Sequence, residues 1–176
     1  MQPPLPTIGT SGGPYHGRVT SPLAADRRGN LLLDLRVGPE SILLDRQPDA
    51  VLPLALVVAV SGDQCLLVFN RWRQEWELPG GMLEPNESPA QAAQREFVEE
   101  TGQSTPALTF YGMALFRLAP DDRLEYAAIY LARIGPVDPF EPNEEIAAIQ
   151  LWEPSSAGDG ISVLDADIVR RVMAGD

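Results

Sequence analysis

The chain has 176 residues, a formal net charge of −12 at pH 7, and no lysine, so all 13 of its basic side chains are arginine. An acid excess of that size argues against nucleic-acid backbones and anionic membranes as partners and suits a protein that holds cations. The missing lysine removes Schiff-base and ordinary P-loop chemistry, and the single histidine, His16, removes a histidine-based triad or a multi-histidine zinc site.

Residues 1–22 are rich in Pro, Gly, Ser and Thr, which predicts an extended or disordered arm with His16 as a solvated residue in it. The start lacks the basic segment and apolar core of a signal peptide, and the longest apolar run, Val51 to Val60, is too short to span a bilayer. The reading is a cytoplasmic protein without membrane contact. Residues 23–50 come next, with "GNLLLDLRV" and "ESILLDR" read as two strands around the turn "GPE". Their apolar runs need a covering surface, which a second subunit would supply in a homodimer.

From residue 51 the signals strengthen. "AVLPLALVVAV" and "QCLLVFNRW" flank "SGD" as a hairpin, and Cys65 inside the second run reads as a small buried core residue. "EWEL" is a short strand leading into Gly80 and Gly81. Ser88, Pro89 and Gln91 then give the cap, first position and capping box of a helix from Ser88 to Thr101, and Gly102 sits where a C-cap glycine belongs. "LTFYGMALFRL" and "LEYAAIYLARI" are strands around "APDDR", "IAAIQLWEP" is another, and "SVLDADIVRRVM" closes the chain as a helix. Strands on both sides of a central helix, with a final helix, predict an α+β fold, an α/β/α sandwich with a mixed sheet whose two helices lie on opposite faces.

Six glutamates and one cation occupy Trp76 to Gln103. On a helix Glu96, Glu99 and Glu100 share a face, with Glu96 and Glu100 one turn apart, and unpaired they would repel. Two glycines just ahead allow backbone groups to approach a ligand closely. A hard dication, Mg²⁺ or Mn²⁺, supplies the missing positive charge, because such ions take carboxylate, carbonyl and phosphate oxygens.

The spacing Gly81, Glu87, Arg95, Glu96, Phe97, Glu99, Glu100, Gly102, Gln103 resembles the box of the Nudix hydrolases, with every polar and glycine position matched. Phe97 stands where the box has an aliphatic residue, and Gln103 where it has an apolar one. The resemblance implies a Nudix hydrolase domain over residues 51–176 that hydrolyses the diphosphate linkage of nucleoside diphosphate derivatives: ADP-ribose, nucleotide sugars or nucleoside triphosphates. It implies metal binding by Glu96, Glu99, Glu100 and the Gly80 carbonyl, and support of the site by Gly81, Glu87, Arg95 and Gly102. The general base is left among Glu96 and Glu100 in the box and Glu144 and Glu145 on a later acidic loop. Arg71 and Arg73 around Trp72 are weaker candidates for binding phosphate and stacking on a base. Pro120 lies slightly beyond the proline that helps mark ADP-ribose enzymes. The alternative is a catalytically weak Nudix fold serving as a nucleotide-binding or regulatory module.

Overall fold

The computed structural model describes residues 21–104 and 107–175, so all but the last two residues of the expected arm, with His16, lie outside the described part. Nine strands form one mixed sheet: β1 (Ala24–Ala25), β2 (Leu31–Val37), β3 (Val51–Ser61), β4 (Gln64–Asn70), β5 (Glu75–Glu77), β6 (Gly80–Met82), β7 (Thr109–Leu118), β8 (Arg123–Arg133) and β9 (Ile146–Trp152). The strand order is β1-β2-β7-β8-β3-β4-β5, with β6 paired to β3 and β9 paired to β4. The β3–β8 pairing is parallel and all the others are antiparallel.

Alternation along the central strands sorts the core into two. From β3, Ala55, Val57 and Ala59 face α1 (Pro89–Thr101), where they meet Ala92, Ala93 and Phe97. Val58 and Val60 point the other way, to the side of α2 (Val163–Ala174) and its Leu164, Ile168 and Val169. The period of two in a strand and the 3.6-residue stripe of each helix thus produce the expected three layers, helices on opposite faces of a mixed sheet. Cys65 is fully buried in the α2-side core, where burial pushes its thiol up to about 12, so it is an inert packing residue. The hairpin turn falls at Gly62, with Ser61 paired to Gln64 as "SGD" predicts.

"ESILLDR" is not a strand. Glu40–Leu44 is a 3-10 helix after Pro39, closed by bonds from Ile42 N–H to the Pro39 carbonyl and from Asp45 N–H to that of Ile42. A strand would place Ile42 and Leu44 on one face. The helical turn instead turns Leu43 inward and Ile42 partly so, leaves Leu44 out at 84% exposure, and lets Arg36 bond the Ile42 carbonyl. β2 joins the main sheet by pairing with β7, and Leu32 is fully buried in the α2-side core. Leu32 and Leu43 are thus covered within the chain, while Val37 and Leu44 of the same runs stay exposed. Among the described residues no helix is long and apolar enough to cross a membrane.

Candidate active site

The loop and helix that carry the carboxylates are fixed by local chemistry. Ser88 accepts from the Gln91 N–H while the Gln91 side chain accepts from the Ser88 N–H, Pro89 occupies the first helical position, and Gly102 ends α1 in the left-handed region at φ 66°. Phe97 is fully buried, so the aromatic replacement keeps the packing role of that position. Gln103 is also buried, and its polarity is matched. Its amide donates to the Thr101 and Asp138 carbonyls and accepts from the Asp138 N–H, so it clasps a neighbouring loop where an apolar residue would only pack.

Arg95 is the hub of the box. Its guanidinium makes a two-pronged bond to Glu87, both contacts 2.9 Å, and reaches the Met82 carbonyl at 3.1 Å, Glu96 at 2.7 Å and Glu99 at 3.3 Å. Glu87 also accepts from the Glu84 N–H, so it anchors the loop as well as the arginine. These bonds hold the Glu87 carboxyl below the usual range and raise Arg95 further.

Glu100 differs from the other box glutamates. It lies on the buried side of α1 and accepts one bond, from the Gly80 N–H at 2.8 Å. Burial, and after it the charges of Glu96, Glu145 and Glu77, push its carboxyl up to about 8, against the lowering effect of the Gly80 bond. A carboxylate so placed lacks positive charge.

Glu145 comes from the later loop, just ahead of β9. Asn143 shapes that loop: its Oδ1 accepts from the N–H groups of Glu145 and Ile146, and its Nδ2 donates to the Glu99 carbonyl at 3.1 Å, pinning the loop to α1. Asn70 donates to Glu145 at 3.1 Å, and the Glu145 carbonyl accepts from the Arg71 N–H. Glu144 is exposed, so the fold separates the two adjacent loop candidates.

The turn between β4 and β5 carries Arg71, Trp72 and Arg73. Arg71 Nε bonds the Asn143 carbonyl, which gives that side chain a part in holding the loop. Trp72 stands out at 71% exposure, and Arg73 pairs with Glu77 at 2.9 Å. Trp76 is half-buried against the α2-side core, edge-on to Phe69.

Three polar residues of the site escape a reading of the sequence. Asn70 and Asn143 stand in a strand end and a loop and carry no motif. Glu77 is nearly buried, and its burial raises its carboxyl in spite of Arg73. The one available signal for Glu77 is its place between Trp76 and Leu78 in an alternating strand. Asp165, in the first turn of α2, is half-buried and accepts from the Leu78 N–H at 3.1 Å. Burial first, and Glu77 second, push Asp165 up to about 7. Its folded value lies above the unfolded one, so the stability it affects is greatest below the ordinary carboxylate range and falls as pH rises from about 4 to about 7. Asp165→Asn, which can keep the Leu78 contact, is expected to melt several degrees above the parent at pH 8 and level with it at pH 4. A parent-like melting curve at both pH values would contradict the assigned burial cost.

Among the described residues, no three acidic, histidine or cysteine side chains are already gathered as a metal cage. Arg95 draws Glu87, Glu96 and Glu99 onto itself. The donor chemistry nevertheless fits a hard dication, since every candidate ligand is oxygen. The glycine loop makes the room: a Cβ on Gly81 would lie 2.4 Å from the Glu96 carboxylate, and one on Gly80 would lie 2.3 Å from the Ala55 carbonyl.

Comparison with known proteins agrees with this picture. The NUDIX domain model matches residues 51–171. A Bacillus subtilis (strain 168) protein named "Putative 8-oxo-dGTP diphosphatase" is 45% identical over 47 residues, which are 27% of this chain and 32% of that protein, so the match spans about a third of the curated relative. A Nudix hydrolase from Nitrosomonas europaea superposes with a TM-score of 0.61 at 24% identity, over 72% of this chain and 89% of that one. A pyrophosphohydrolase from Bacillus subtilis gives 0.57 at 22% identity, over 86% and 92%. At these identities the structural likeness speaks for the fold.

Proposed function

The chain belongs to the Nudix family, and from that premise we propose that it is a divalent-metal-dependent pyrophosphohydrolase that cleaves the diphosphate linkage of a nucleoside diphosphate derivative. The observation that carries the reading is Glu100, a nearly buried carboxyl that accepts from the Gly80 N–H of the glycine loop at 2.8 Å and stands near the charges of Glu96, Glu145 and Glu77. Glu96, Glu99, Glu100 and the Gly80 carbonyl would hold the ions, Mg²⁺ or Mn²⁺. When bound, the ions neutralise the diphosphate, polarise phosphorus and make a water more acidic.

The chain's own residues supply the rest. Glu145, fixed by Asn70 beside Glu100, takes the proton of the attacking water. Glu144 is too exposed for that role and serves as its control. Arg95, anchored by Glu87, gathers Glu96 and Glu99 on one guanidinium nitrogen and offsets their mutual repulsion, and Gly81 leaves the space into which Glu96 reaches. Trp72 and its flanking arginines receive the nucleotide, the indole by stacking and the arginines through phosphate.

A release assay tests the reading, with ADP-ribose, a nucleotide sugar, a nucleoside triphosphate and 8-oxo-dGTP as substrates. The last is included because of the name of the B. subtilis relative. Release of a nucleoside monophosphate should require Mg²⁺ or Mn²⁺ and stop on chelation. Ion affinity should strengthen as pH rises toward about 8, because ion and proton compete for Glu100. Nucleotide binding without metal-dependent turnover of any substrate would instead favour a binding module.

A further inference from the structure

Asn70, the last residue of β4, is 2% exposed in a part of the molecule lined with carboxylates. A buried amide is stable only when its donors and acceptor are matched. Asn70 Oδ1 accepts from the N–H groups of Trp72 at 2.9 Å and Arg73 at 3.1 Å, which caps the turn. Its Nδ2 donates to Glu145 Oε1 at 3.1 Å, and hydrogen bonding from the same side chain favours the ionised form of Glu77. The strand pairing makes this meeting, because Asn70 lies opposite Ile146 in the β4–β9 register. The Arg71 N–H closes a second link to the Glu145 carbonyl at 2.8 Å.

We propose that Asn70 is a positioning residue whose amide fixes the Glu145 carboxylate beside the glutamates of α1 and ties it to the turn bearing Arg71, Trp72 and Arg73. The proposal rests on the reading of Glu145 as the proton acceptor. It assigns the two ends of one side chain separate tasks. The oxygen holds the turn, and the nitrogen holds the carboxylate. Aspartate has the same shape and keeps the oxygen's contacts, but it places a negative charge where the donor was, facing Glu145 and Glu77. The side chain must therefore be an amide.

A double-mutant cycle tests this: the parent, Asn70→Asp, Glu145→Gln and the two combined. Combined, the substitutions restore a donor–acceptor pair with its polarity reversed. In the metal-free protein, Asn70→Asp should lower the melting temperature, and the double variant should recover at least about half of that loss. Additive losses would overturn the clasp. In the metal-loaded enzyme, Asn70→Asp should cut kcat by at least about tenfold when Glu145 is present, and by less than about twofold in the Glu145→Gln background. Equal losses in both backgrounds would overturn action through Glu145. Should Asn70→Asp fail to fold while the double variant folds, the clasp is supported. Should neither fold, Asn70→Ser enters the same kcat comparison, with equal losses in the two backgrounds again overturning the proposal. Parent-like kcat in Glu145→Gln would refute the proton-acceptor reading alone, and the melting-temperature cycle would then decide the clasp.

Discussion

Glu100→Gln is expected to lower kcat by about two to three orders of magnitude, the usual cost of losing one electrostatic group aimed at a transition state (~3–4 kcal/mol). The same change should stabilise the metal-free protein. Burial pushes the parent carboxyl from its ordinary 4.5 up to about 8, so parental stability falls as pH rises between those values. The amide bears no charge and can still accept from the Gly80 N–H. The gain in melting temperature should be absent at pH 4, grow with pH and level off above about 8. Glu96→Gln separates the two effects. Glu96 is already paired with Arg95 at 2.7 Å, so its loss should reduce turnover without a matching gain in stability. Near-parental turnover of Glu100→Gln together with a lower melting temperature would make this glutamate structural and defeat the metal reading.

Gly80→Ala and Gly81→Ala should fail in opposite ways. At Gly80, with φ 148°, an added Cβ meets the Ala55 carbonyl at 2.3 Å and the Leu56 Cα at 2.8 Å. Both are backbone of β3, and β3 pairs with β6 at these residues, so neither can retreat without breaking the ladder. Overpacking and backbone strain together are expected to cost about 3 kcal/mol or more. In a chain of this size that lowers the melting temperature by about 6–12 °C. At Gly81 the Cβ meets the end of the Glu96 side chain, which can swing away. The melting temperature should then stay near that of the parent, while displacement of the carboxylate cuts kcat by at least about tenfold. Circular-dichroism melts beside the release assay distinguish the cases. Equal stability losses at the two positions would mean that Gly81 serves the turn and not the Glu96 carboxylate.

Features that act over a few residues can be read directly from the local sequence. The capping box at Ser88 and Gln91, Pro89 at the first helical position and Gly102 at the end specify α1 because each works through backbone groups within about one turn. The common face of Glu96 and Glu100 follows from the helical repeat, and the two-sided core follows from alternation along β3. Each of these could be read without knowing any partner. The 3-10 turn at Glu40–Leu44 could not, because "ESILL" suits a strand by composition, and the burial of Leu43 against the sheet selects the helical turn. The different surroundings of Glu144 and Glu145 arise from the tertiary structure as well. The two residues are adjacent and chemically the same, and pairing of β9 with β4 sets Glu145 against Asn70 while Glu144 stays in solvent. The raised carboxyl of Glu100 has the same origin. Its first cause is the burial of α1 on the sheet; among the charges, that of Glu96 is local to the helix, while those of the later loop and β5 come near only when the strands pair.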